Sequence, residues 1–217
     1  SSAQFADYLN DLRIAGGQNL AYTEEEIRKF EEGTDPNYPN TNWVKEVLKK
    51  TSSQKMHNLN VRGGTDAVKY SISGSFADQN SIFKNGMHEF NTYTLRSNID
   101  SRINKYLNVN LDINAGLDDL VQPGAEDPWS WMNALPMMPV YYQNGLPSAG
   151  IEQGLNPAVM VTEVSGRNNT KTKRFQTKAG FDLQLPWVQG LKLDGYLVFN
   201  NNEVLNKRWR TPWTVYN

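Results

Sequence analysis

The sequence predicts an all-β membrane protein, a segment of an antiparallel transmembrane β-barrel of about six strands, with short helices in its longer, extracellular loops. Three observations carry that prediction. From about residue 52 onward, apolar and polar residues alternate with a period of two. The alternating runs reach about 11–15 residues, where soluble strands usually have about 3–10 and outer-membrane strands need about 9–11 to cross. The connections between runs are short and long in turn, as in a barrel with tight turns on one side and long loops on the other. A β-sandwich also has one apolar face, but it has no reason to sort its loops by parity.

Composition narrows the alternatives. The chain has 217 residues, 22 Lys and Arg against 23 Asp and Glu, a net charge of −1, two histidines and no cysteine. That balance provides no electrostatic reason to expect nucleic acid as a partner. Without cysteine there is no disulfide framework, thiolate nucleophile or thiolate metal site. No apolar run approaches the roughly 18 residues of a membrane helix. There is no Gly-x-Ser-x-Gly, no phosphate loop and no paired histidines at metal spacing, so we expect no enzyme, no cofactor and no metal. His57 and His88 read as loop or rim residues at opposite ends of a hairpin.

The first segment, residues 1–51, reads as helix and loop. Phe5, Leu9 and Leu12 sit at helical spacing, and Gly16-Gly17 stops that run. Thr23 with Glu26 forms a capping-box pattern opening a second helix that ends at Gly33. The acidic run from Glu24 to Glu26 is then a solvated helix N-terminus. TDPNYPNTN is turn chemistry, and a third short helix follows with Asn42 as cap.

The second segment, residues 52–217, carries the strands. Tyr93, Leu95, Ile99 and Ile103 alternate with Thr94, Arg96, Asn98, Asp100 and Arg102. Leu107, Val109, Leu111, Ile113 and Leu117 alternate with Asn108, Asn110, Asp112 and Asn114. Phe175, Phe181 and Leu183 face away from Gln176, Lys178 and Asp182, and Val68, Tyr70, Ile72 and Phe76 from Lys69, Ser71, Ser73 and Ser75. Two weaker runs lie around 54–62 and 191–199, where Tyr196 and Val198 break the polar face. The polar set Arg96, Asn98, Asp100, Asn108, Asn110 and Asp112, with Lys178 and Asp182, would face the lumen. There it would bond among itself or to a plug, or line a transport path.

The connection at 119–169 is the long one. It holds Trp129, Trp131, Tyr141 and Tyr142, with Pro128, Pro136, Pro139, Pro147 and Pro157. Such rings can stack on a sugar or pack on a partner protein. The favoured competing reading is a proline-braced loop whose aromatics pack on one another. Asp118, Asp119, Glu126 and Asp127 offer oxygen ligands for calcium, but their spacing matches no EF-hand and a solvated acidic loop is preferred. Trp187 and Trp209 lie near strand ends, where interface aromatics are expected. Asn168-Asn169-Thr170 matches a glycosylation sequon that a bacterial outer membrane would not use. Six strands do not close a barrel, so the chain reads as a piece of a larger wall.

KYSISGSFADQNSIFKN followed by FNTYTLRSNIDSRINKYLNVNLDINAG resembles the barrel of SusC/RagA-type TonB-dependent outer-membrane transporters. The likeness rests on Asp78, Gln79, Ile82, Tyr93, Leu95, Arg96, Asn98, Asp100, Asn104, Lys105, Leu107, Val109 and Leu111. It extends to Gly33–Pro36, Trp43 and Gly63–Thr65, and to DPWSWMNALPMMPVYYQNG and LPWVQGLKLDGYLVF. The resemblance implies a 22-stranded barrel with an N-terminal plug, of which this chain is the early wall. It also implies import of bulky nutrients (oligosaccharides or peptides), energy from the TonB complex through an N-terminal region not in this sequence, and a SusD-like surface lipoprotein as lid. Outer-membrane lipid would surround the wall. The alternative reading is a secreted, soluble β-rich binding module for carbohydrate, with its apolar face buried internally.

Overall fold

The computed structural model describes residues 1–125, 130–149 and 155–216. Six antiparallel strands form one sheet in chain order: β1 (Gln54–Gly64), β2 (Val68–Gln79), β3 (Glu89–Arg102), β4 (Leu107–Pro123), β5 (Gly166–Gln184) and β6 (Lys192–Arg210). Every strand pairs with its sequence neighbour, and β1 and β6 form the two edges. The sheet is open. Its register is continuous, as in the row Val61–Ile72–Ser97–Ile113–Thr177–Phe199.

At one end the strands join through tight turns at 65–67, 103–106 and 185–191. Gly64 enters the first of these at φ +154, and a Cβ there would lie 2.3 Å from the Val68 carbonyl. Asn104 closes the second turn by accepting from the Tyr106 and Leu107 amides at 2.8 and 3.0 Å. The opposite end carries the long connections. The loop-length parity expected from the sequence is therefore present.

Strand lengths differ from expectation. β4 runs on through Pro123 and β5 starts at Gly166, so the connection expected over 119–169 spans 124–165. The weak run at 191–199 belongs to a 19-residue strand. Asp118 and Asp119 lie inside β4 rather than in a loop. As consecutive strand residues they point to opposite faces, so they cannot chelate one ion together. Each is paired instead, Asp118 with Arg174 and Asp119 with Lys171.

Residues 1–51 form α1 (Ser2–Ala15), α2 (Glu24–Glu32) and α3 (Trp43–Val47). All three caps follow the sequence signals. Thr23 and Glu26 make a complete capping box, Gly33 ends α2 in the left-handed conformation, and the Asn42 side chain accepts from the Lys45 amide at 3.1 Å. Further along, the long connections contribute short 3-10 turns at Ser130–Asn133 and Glu163–Ser165, and α4 (Pro157–Met160).

The one buried hydrophobic cluster among the described residues lies in these connections, not under the sheet. Trp43, Val47, Phe83 and Val161 are buried together, with Leu48, Ala134, Met138, Val140 and Ala158 around them. Backbone bonds lace the segments: Lys84 N–H to the Val47 carbonyl, Lys49 N–H to Ile82, Met87 N–H to Val161, and Thr41 N–H to Pro136. Trp43 Nε1 donates to the Leu135 carbonyl at 2.8 Å. The loops thus form a cap with its own core on one end of the sheet.

Candidate functional site

The sheet has two chemically distinct faces. One carries the odd-numbered residues of β1 and β3–β6 and the even-numbered residues of β2. Its apolar side chains are open to the surroundings: Leu59 is 71% exposed, Leu95 50% and Leu197 80%. No second sheet covers them among the described residues, so an internally buried apolar face is not what the structure has.

This apolar surface is a band. On β4 it runs from Leu107 to Leu117, after which Asp119 follows. Ten residue steps at about 3.4 Å each make about 34 Å along the strand, which at a barrel strand's tilt of about 40° would correspond to a height of about 26 Å; the apolar belt of an outer-membrane barrel is about 25 Å tall. The border towards the loop cap crosses the strands obliquely. It follows Phe76, Tyr93 and Leu117 on β2–β4, then Phe175 on β5, two residue pairs lower, and Phe199 on β6, four lower. Tilted strands meeting a flat boundary produce that slope.

Aromatic rings mark the border. His57 stacks on Phe76 with centroids 6.4 Å apart, and Phe76 meets Tyr93 at 5.0 Å. Sequence reading missed this row, although the 65–67 turn sets the register that aligns it. At the turn end Trp187 is 77% exposed. Trp209 sits ten residues beyond Phe199, in the polar extension of β6, and marks no border.

The opposite face is polar. The register brings Arg96, Asn98 and Asp100 of β3 onto it together with Asn108, Asn110 and Asp112 of β4 and Lys178 and Asp182 of β5. Asn98 Nδ2 donates to Asp112 Oδ1 at 2.6 Å, and Asn114 Nδ2 to Gln176 Oε1 at 3.4 Å. Arg174 grips Asp118 through its two terminal guanidinium nitrogens, Nη1 and Nη2, donating at 2.5 and 2.9 Å. Lys178 Nζ lies 4.8 Å from the Tyr196 ring centroid, which explains an aromatic residue on this face. The Asn110 side chain lies over Gly180. Asn98–Asp112, Asn114–Gln176 and Arg174–Asp118 are thus bonded pairs within a wall of amides and charges.

A third feature lies in the cap. A cleft of about 1240 Å³ opens between the 33–42 loop and the 139–146 hairpin, lined by Asp35, Asn37, Tyr141, Tyr142, Asn144 and Tyr216 among others. Tyr141 is 52% exposed, and the Tyr142 hydroxyl donates to the Tyr216 carbonyl at 3.3 Å. Asn156 braces the hairpin from below, its amide donating to the Val140 and Ser148 carbonyls at 2.8 and 3.0 Å. Of the loop aromatics singled out in the sequence, the structure brings Tyr141 and Tyr142 to this cleft. Trp129 lies outside the described residues, as do Glu126 and Asp127, and Trp131 is described only as backbone within the Ser130–Asn133 turn. No three His, Asp or Glu side chains converge as metal ligands among the described residues.

Solved structures contain this arrangement of strands. A chain of the RagAB peptide transporter matches with a TM-score of 0.60 at 14% identity, over 94% of the present chain. A chain of the RagAB peptide importer in its "open-open" state matches with a TM-score of 0.57 at 16% identity, again over 94%. The likeness is one of fold. The present chain spans 26% of each of those chains, about a quarter. No family model and no curated protein matches the sequence.

Proposed function

We propose that this chain is part of the wall and loop cap of an outer-membrane β-barrel transporter of the SusC/RagA type. The observation that carries the reading is the apolar band, of bilayer height, on one face of a sheet whose other face is polar and hydrogen-bonded. The parity of the connections and the fold shared with RagAB transporter chains support it. In this reading the barrel has 22 strands, and the edges of β1 and β6 pair with further strands of a longer chain, since a lipid-exposed open edge would be costly. The cap faces outward, and the polar set around Arg96, Asn98, Asp100, Asn108, Asn110 and Asp112 lines the lumen. Tyr141, Tyr142, Trp129 and Trp131 are candidates for contact with cargo or with a SusD-like lid lipoprotein. The transporter takes up bulky nutrients, peptides or glycans, with energy from TonB, and performs no catalysis.

The test is the size and heat-modifiability of the native polypeptide in an outer-membrane fraction, followed with an antibody to this segment. At about 36 residues per strand, 22 strands need about 800 residues, so we expect a band near or above about 90 kDa whose mobility changes on boiling. A soluble band near about 25 kDa would reject the barrel wall in favour of a secreted binding module.

A further inference from the structure

Glycine inside a strand costs stability and is usually covered by a neighbouring side chain. Two glycines on the apolar face obey that rule. The Tyr70 ring lies over Gly63, where a Cβ would come within 2.8 Å of its hydroxyl, and the Phe181 ring lies over Gly195, again at 2.8 Å. Gly74 does not. Its direct partners Leu59 and Leu95 leave it uncovered, and a Cβ there would meet nothing nearer than the Thr94 carbonyl at 4.0 Å.

The result is a depression of about 680 Å³ floored by Gly74 and Ala115 and walled by Leu59, Phe76, Tyr93, Leu95 and Leu117. It lies at the upper border of the band, on the loop-cap side. Lys173 and His57 stand on its rim, and no carboxylate lines it. The Lys173 ammonium has an ion pair with Glu203 at 3.5 Å, but both side chains are more than half exposed, and such a pair is readily exchanged.

An apolar trough with the Lys173 ammonium at its rim, at the border of a lipid-facing band, complements an amphiphile with an acyl chain and an anionic head. We propose that this depression binds a phosphorylated glycolipid of the outer leaflet, one acyl chain over Gly74 and a phosphate at Lys173. The proposal rests on the barrel-wall reading, which puts this face in lipid and this end outermost.

The test uses the full-length chain in mild detergent, with bisphosphorylated lipid A as probe and native mass spectrometry as readout, against dephosphorylated lipid A and dimyristoylphosphatidylglycerol. Gly74→Leu fills the trough where space is free, and Ala115→Leu serves as an independent second filling. We expect each to weaken lipid A retention about tenfold or more while heat-modifiable mobility is kept, and Lys173→Gln to erase the preference for the phosphorylated form. Equal retention by the wild-type and both filled variants would overturn the site, and equal retention of phosphatidylglycerol would overturn the glycolipid. Loss of heat-modifiability in the wild-type chain itself would instead remove the barrel reading on which the site stands.

Discussion

Asn156 shows how single residues hold the loop cap together. It is fully buried, and its side chain makes four hydrogen bonds, two donated to the Val140 and Ser148 carbonyls and two accepted from the Ala158 and Val159 amides. Asn156→Ala would remove all four of these bonds, leaving the Val140 carbonyl with only the Ser148 N–H and the Val159 amide with only the residue-156 carbonyl among their backbone partners, at a cost to the cap of about 1–3 kcal/mol. Faster amide exchange at 140–149 and 155–161, with strand protection unchanged, would confirm it. Phe83 acts through packing rather than bonding. Fully buried between Trp43, Val47 and Val161, it would leave a cavity as Phe83→Ala worth about 3–5 kcal/mol, read as proteolytic nicking in the 80–88 connection. His88 packs beside Phe83 at 6.1 Å, and burial lowers its pKa below the usual 6.5. The neutral ring is the form that packs, so its contribution is complete above pH 6.5 and fades as the pH falls through the lowered value. Exchange protection around 83–88 should therefore weaken on acidification, and His88→Gln should flatten that dependence; an unchanged profile in the variant would assign the effect elsewhere.

Elements divide into those legible in the sequence and those that were not, and the division is physical. Helix caps are local chemistry: Thr23, Glu26, Gly33 and Asn42 act within three residues of themselves, so α2 and α3 could be located from a handful of letters. Thr23→Ala should cost α2 about 1 kcal/mol and raise exchange at its first turn. The Glu26 carboxylate, held below its ordinary pKa by the Thr23 backbone amide and hydroxyl, keeps that cap intact above about pH 4.5 and releases it as the pH falls. Strands were legible only where one face is apolar and the other polar. Between Leu107 and Leu117 the alternation is strict, but in DDLVQP, GRNNTKTKR and NNEVLNKRWR polar residues fall on both faces and the period disappears. That is why β4, β5 and β6 extend beyond their expected ends. The aromatic border and the cap core were less legible still. They join residues such as Trp43, Phe83 and Val161 that only the folded register and loops bring together.

At the scale of the molecule, the barrel reading makes the two faces of one strand respond oppositely to the same substitution. Ile113 and Asn114 are neighbours near mid-band on β4, at one depth but on opposite faces. An arginine at 113 would place a charge in the hydrocarbon, where outer-membrane barrels lose about 2–4 kcal/mol near the midplane. An arginine at 114 would give up a 3.4 Å bond to Gln176 and stand directly opposite Arg96, but on a polar face, and should cost no more than about 1 kcal/mol. Urea titration of the full-length chain folded into phospholipid vesicles measures both variants on one scale. A soluble module with this sheet would meet water on both faces and show no such asymmetry, because Ile113→Arg would then exchange one partly exposed side chain for another. A gap of about 1 kcal/mol or more between the two variants therefore rejects water on both faces, and its absence assigns that band to water.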